Sequence, residues 1–108
     1  MDQYLLTLVA VRVMEVWLSG LGFQPTGYFD PNDSACLRDY GPHRVWTIQA
    51  NIPAGIATDR HDLLDQLHHY LDKQADLPGA IRFHAYNIDF YHSPYCGNYV
   101  FVSIYHTA

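Results

Sequence analysis

The chain has 108 residues, 49% of them apolar and 15% aromatic, and a formal charge of −5. That length holds a single core (1–108 as one domain), with no room for a cofactor domain beside a substrate domain, and the apolar fraction excludes a disordered chain. Arg12, Arg38, Arg44, Arg60, Lys73 and Arg82 are scattered, which excludes the clustered basic surface that binding to nucleic acid requires.

The first predicted element is a helix over 2–21. Nothing breaks it before Gly20, and Leu21-Gly22-Phe23 supplies a glycine stop followed by an apolar contact. Its apolar stretch over 4–11 is not a membrane span, because Arg12 and Glu15 interrupt it well short of the roughly 20 residues required. Asp2 stands where a signal peptide carries basic charge, so a soluble chain that is not exported by that route is expected. Only Arg12, Glu15 and Ser19 form a polar stripe. Tyr4, Leu5, Leu6, Val9, Val13, Val16 and Trp17 then cover more of the helix than one sheet face requires. That excess either meets another chain or is wrapped by the strands of a short domain.

Short strands are predicted over 26–30 and 35–39, joined by Pro31-Asn32-Asp33, and Tyr40-Gly41-Pro42 turns the chain into a stronger strand over 44–52. There Trp46, Ile48, Ala50 and Ile52 alternate with Thr47, Gln49 and Asn51, the period of a half-buried strand. Pro53-Ala54-Gly55 ends it, and Thr58 or Asp59 caps a second helix. Leu63, Leu64, Leu67, Tyr70, Leu71 and Gln74 share one face of that helix, opposite His61, Asp65, His68, His69 and Asp72. The leucines are expected to pack on Trp46 and Ile48 of the preceding strand. After a stop at Leu77-Pro78-Gly79, strands over 81–91 and 99–106 flank a loop over 93–98. The expected class is α+β: an antiparallel sheet with two helices packed mainly on one face.

The seven histidines raise metal and acid–base chemistry. His61, Asp65, His68 and Asp72 fall at i, i+4, i+7 and i+11, one stripe of the second helix, and imidazole with carboxylate at i, i+4 can hold a divalent ion. The stripe faces solvent with no further element to close a coordination shell, and the same pairs stabilise an exposed helix, so no metal is expected. His84, His92 and His106 lie in or beside the final hairpin near Asp89 and Cys96, where a Cys–His pair for nucleophilic catalysis is conceivable. Alternation instead turns His84 and Asp89 outward. Cys36 and Cys96 have neither disulfide-framework nor zinc spacing and are expected to be buried thiols. No phosphate loop, GxSxG, HExxH or kinase signature is present, so neither a catalytic residue nor a cofactor is expected.

Nine tyrosines are the more unusual count, five of them (Tyr86, Tyr91, Tyr95, Tyr99 and Tyr105) in the final hairpin. Tyrosine gives a rigid contact area with one polar end, which suits either a protein interface or aromatic pairing within the sheet. The candidate interface residues are Tyr4, Leu5 and Val9 of the first helix with Tyr86, Tyr91, Tyr95 and Tyr99 of the hairpin.

In the order of its elements the chain is similar to the small tail-terminator and tail-completion proteins of long-tailed bacteriophages. The likeness runs through nearly the whole chain: first helix, short-strand meander, the loop Ile52-Pro53-Ala54, a helix bearing Leu63-Leu64-Asp65, and the closing strand Tyr99-Val100-Phe101-Val102-Ser103-Ile104-Tyr105. The resemblance implies a structural virion protein, not an enzyme. It would assemble in the host cytoplasm as a hexameric ring at the head–tail junction, with tail tube, neck or connector proteins as partners and no membrane. The acidic balance suits a ring through which DNA slides. The alternatives are a small binding inhibitor, such as an anti-defence or immunity protein, and a small metal-dependent hydrolase using the His/Asp stripe.

Overall fold

The computed structural model describes residues 3–29, 44–56, 59–73, 82–95 and 97–107. They form α1 (Gln3–Gly20), β1 (Gln24–Phe29), β2 (Arg44–Asn51), α2 (Arg60–Lys73), β3 (Arg82–Ser93) and β4 (Gly97–Thr107). The strands make one antiparallel sheet in the order β1-β2-β4-β3, and the helices pack against it, an α+β fold. The strand expected over 35–39, its flanking turns, Thr58, Gln74, the stop at Leu77-Pro78-Gly79 and both cysteines lie outside the described residues.

The centre of the sheet follows from the period of two. Trp46, Ile48 and Ala50 of β2 stand in register with Ile104, Val102 and Val100 of β4, and none of the six is more than 1% exposed. Burying a valine or isoleucine of this kind contributes about 1.5–3 kcal/mol, more than the roughly 1 kcal/mol net of a typical hydrogen bond. Apolar register therefore decides the pairing. A one-residue slip would turn every one of these side chains to the other face.

β3 keeps to this plan only through a β-bulge. Phe83 and Ala85 stand opposite His106 and Ile104, the register then shifts between Ala85 and Asn87, and Ile88 and Phe90 stand opposite Val102 and Val100. The inward set thus changes from odd to even numbers, with Tyr86 as the extra residue. His84 and Asp89 both turn away from the core, as expected, although simple alternation would put positions five apart on opposite faces.

α1 presents Leu6, Ala10, Val13, Met14, Trp17 and Leu18 to the core and lies over β1 and β2. It ends in a Schellman motif: the Phe23 N–H donates to the Leu18 carbonyl at 3.0 Å and the Gly22 N–H to the Ser19 carbonyl at 3.0 Å. Gly22 takes a φ of 89°, which a side chain would strain, and Phe23 returns to the core beside Leu18. A polar contact locks this helix to the sheet. Buried Thr7 accepts a 3.0 Å hydrogen bond from Nε1 of Trp46, giving the indole its partner.

α2 opens on Asp59, whose Oδ1 accepts from the Asp62 N–H at 3.0 Å, an N-cap. Leu63, Leu67 and Leu71 are buried, with Leu64 and Tyr70 packed beside them. These leucines share one buried cluster with Trp46 and Ile48, but α2 lies over β3 rather than over the preceding strand, while α1 covers β1 and β2. The cause is strand order. β4 separates β2 from β3, so the chain leaving β2 must cross to the far edge of the sheet, and α2 makes that crossing.

Replacing Thr7 with valine keeps the volume and strands the Trp46 N–H in the core. Thr7→Val is expected to lower stability by about 1–3 kcal/mol in urea unfolding, whereas Thr7→Ser retains most of it. An unchanged midpoint for the valine variant would remove Thr7 from the account of how α1 is fixed.

Candidate functional site

Both helices lie on one side of the sheet, so the register also defines what the other side shows. Across β2, β4 and β3 its rows read Val45–Tyr105–His84, Thr47–Ser103–Asn87, Gln49–Phe101–Asp89 and Asn51–Tyr99–Tyr91. A polar belt crosses the middle, where the Thr47 and Ser103 hydroxyls are 2.8 Å apart. Aromatic groups flank it. At one end His84 stacks on Tyr105 (centroids 5.0 Å, 28°) and Tyr86 meets Tyr105 edge-on at 6.1 Å. At the other, Tyr91 stacks on Tyr99 (5.6 Å, 17°), and Phe101 stands edge-on to both, 5.3 Å from Tyr91 and 5.7 Å from Tyr99. Such pairs contribute about 0.5–1.5 kcal/mol beyond their area, which holds the rings in a fixed array. Tyr86 and Tyr91 nevertheless stay 41% and 46% exposed.

The edge of β3 is held by α2. Arg60 Nε donates to the Ile88 carbonyl at 2.7 Å, and its Nη2 donates to Asn87 Oδ1 at 2.7 Å. Asn87 Nδ2 in turn donates to Asp89 Oδ2 at 2.7 Å. The guanidinium occupies an edge carbonyl that another strand would otherwise pair with, and the relay sets the orientation of Asp89 on the open face. Nothing in the sequence marks Arg60 for this role, since β3 lies more than twenty residues on and reaches it only through the crossing.

A second apolar surface runs along the outside of α1, where Leu5, Leu8 and Val16 are 51%, 44% and 46% exposed. Arg12 shares this stripe, exposed between Leu8 and Val16, with half-buried Glu15 at its flank. Positions 5, 8, 12 and 16 recur at helical spacing, a signal present in the sequence but masked by the greasiness of the whole helix.

Of the expected interface residues, Leu5, Tyr86, Tyr91 and Tyr95 are exposed, and Tyr95 is 96% exposed at the hairpin tip. Val9 is half-buried on the flank of α1, between the exposed stripe and the core it packs against. Tyr99 is half-buried within its aromatic group, and the side chain of Tyr4 lies outside the described residues.

His61, Asp65, His68 and Asp72 are all exposed along α2. Among the described residues no three His, Cys, Asp or Glu side chains gather in a way that could hold a metal ion. The hairpin histidines are kept apart. His84 faces the open side, His106 stands on the core side in register with Phe83, and His92 Nδ1 lies 2.8 Å from Asn98 Oδ1 near the turn. Cys96 lies outside the described residues. No helix among the described residues is long and apolar enough to cross a membrane.

His106 closes one end of the core, with its ring centroid 6.0 Å from Phe83 and 6.5 Å from Trp46. Burial holds its pKa below the usual histidine value, and the charge of His84 adds to the effect. Burial likewise raises the Tyr70 phenol. For a histidine with a depressed folded pKa, the unfolded chain binds the proton more tightly. The neutral-ring contribution to stability is therefore complete above about pH 6.5 and declines as pH falls from there through the folded pKa. His106→Phe retains the aromatic edge without the titration, so urea midpoints between pH 7 and pH 5 are expected to fall less for the variant than for the wild type. Identical slopes would show that His106 does not couple protonation to folding.

No family model matches the sequence, and no curated protein or solved structure is significantly similar to it.

Proposed function

We propose that the chain is a structural subunit that works by associating with copies of itself, without catalysis. Its assembly is a ring of the tail-terminator or tail-completion kind at the head–tail junction of a tailed bacteriophage. One observation carries this reading: two surfaces with exposed large hydrophobics, the outside of α1 (Leu5, Leu8 and Val16) and the face of the sheet away from the helices (Tyr86 and Tyr91), lie on opposite sides of the molecule. Exposed apolar side chains gathered on one surface among polar groups mark contact sites. Two different patches on opposite sides make a head-to-tail contact, and head-to-tail contacts close into rings when the rotation per subunit allows. The order of elements, similar to that of the tail-terminator proteins, supplies the virion setting. The net charge of −5 supports a lumen that does not retain DNA through counterion release.

The exposed Tyr95 favours a second reading, a binding inhibitor that inserts the hairpin tip into a pocket of a host protein. The two separate by where the contact lies: the ring needs α1 and the sheet face, the inhibitor needs the tip.

Sedimentation velocity over a range of concentrations is expected to show a closed oligomer. Leu8→Glu and Tyr91→Glu, made separately, are each expected to weaken association about tenfold or more while circular dichroism stays native, and Tyr95→Ala to leave it unchanged. Val9→Asp, by contrast, is expected to destabilise the fold. A wild-type chain that stays monomeric and binds a single host protein through Tyr95 would replace this reading with the inhibitor.

A further inference from the structure

Resting on the self-association reading, we infer that the outer stripe of α1 docks on the open sheet face of the next copy, centred on an ion pair between Arg12 and the neighbour's Asp89. Each surface has a single charge of the relevant sign at its middle. Arg12 is the only cation of α1, and Asp89 is the only carboxylate on the open face among the described residues. Asn87 holds Oδ2 of Asp89, and Oδ1 has no donor among the described residues, so the carboxylate is oriented and keeps an acceptor for a guanidinium.

The apolar groups match in the same order. Along α1, Val16 lies about 6 Å to one side of Arg12, with Leu8 about 6 Å and Leu5 about 10 Å to the other, at 1.5 Å per residue. Along β3, Tyr91 lies roughly 7 Å to one side of Asp89 and Tyr86 roughly 8 Å to the other, at about 3.3 Å per residue less the residue the bulge adds. Both surfaces therefore read apolar, charged, apolar over a similar length, about 15 Å. An antiparallel sheet tolerates solvent on one face, and an array of tyrosines and Phe101 there is the composition of an interface core rather than of a solvated face. With this contact the α1 of each copy covers two sheets, its own through Leu6, Val13 and Trp17 and the neighbour's through Leu5, Leu8 and Val16.

The competing occupants are a second α1 packed antiparallel on the first, with Arg12 against Glu15, and a foreign partner. A charge swap separates them. In sedimentation velocity on the full chain, R12E and D89R are each expected to weaken association about tenfold or more, and the R12E/D89R double variant to restore it to within about threefold of wild type. Urea midpoints report whether each variant folds. Should D89R unfold, the R12K variant keeps the test open. A water-soluble carbodiimide should then join Lys at position 12 to Asp89 in a covalent dimer, identified by peptide mass. Association that R12E abolishes and D89R neither weakens nor rescues would overturn the inference in favour of α1 on α1 and leave the assembly reading standing. A wild type that is monomeric at every concentration would overturn both.

Discussion

The pairing of β2 with β4 is the constraint from which the rest of the molecule follows. Two strands about fifty residues apart in sequence bring Trp46, Ile48 and Ala50 against Ile104, Val102 and Val100, and these six close the middle of the core almost completely. Once β4 lies between β2 and β3, the connection from β2 cannot be a hairpin. It must pass over the sheet, and an amphipathic helix is the form in which a chain crosses an apolar face with its backbone groups satisfied. α2 is thus placed over β3 by the strand order, and α1 fills the space left over β1 and β2.

Two local devices hold this arrangement in register. Trp46 carries the one polar atom on its side chain into the core, and Thr7 meets it from α1, so the helix cannot slide or rotate without leaving a buried donor unsatisfied. The bulge at Tyr86 serves the other edge. By adding one residue to β3 it lets Phe83 and Ala85 on one side, and Ile88 and Phe90 on the other, all face inward. It also brings His84, Asn87, Asp89 and Tyr91 onto the same outer face.

The consequence is a sheet with two unlike faces. One carries the aliphatic core and both helices. The other carries a polar belt between two aromatic groups, tied to the fold through Arg60, which connects the start of α2 to Ile88, Asn87 and, at one remove, Asp89. Because Arg60 occupies an edge carbonyl of β3, strand addition is opposed at that point. The helical stripe Leu5, Leu8, Arg12 and Val16 faces the opposite direction.

The sequence by itself determined the class of the fold and most of its elements, because those depend on local periodicity and punctuation. The alternation through β2, the leucine face and Asp59 cap of α2, and the Gly22-Phe23 ending of α1 can all be read from neighbouring residues, and each acts over a few ångströms along the chain. Exposure of the His61, Asp65, His68 and Asp72 stripe was legible for the same reason. Tertiary structure alone decided which strands became neighbours, hence which helix covers which strand, and it set Val9 half-buried at the edge of the core. It also decided the bulge at Tyr86, the Thr7–Trp46 lock and the reach of Arg60 to β3, none of which leaves a periodic trace. Those features join residues distant in sequence, and their energies come from burial and hydrogen bonding that exist only after the chain has closed on itself.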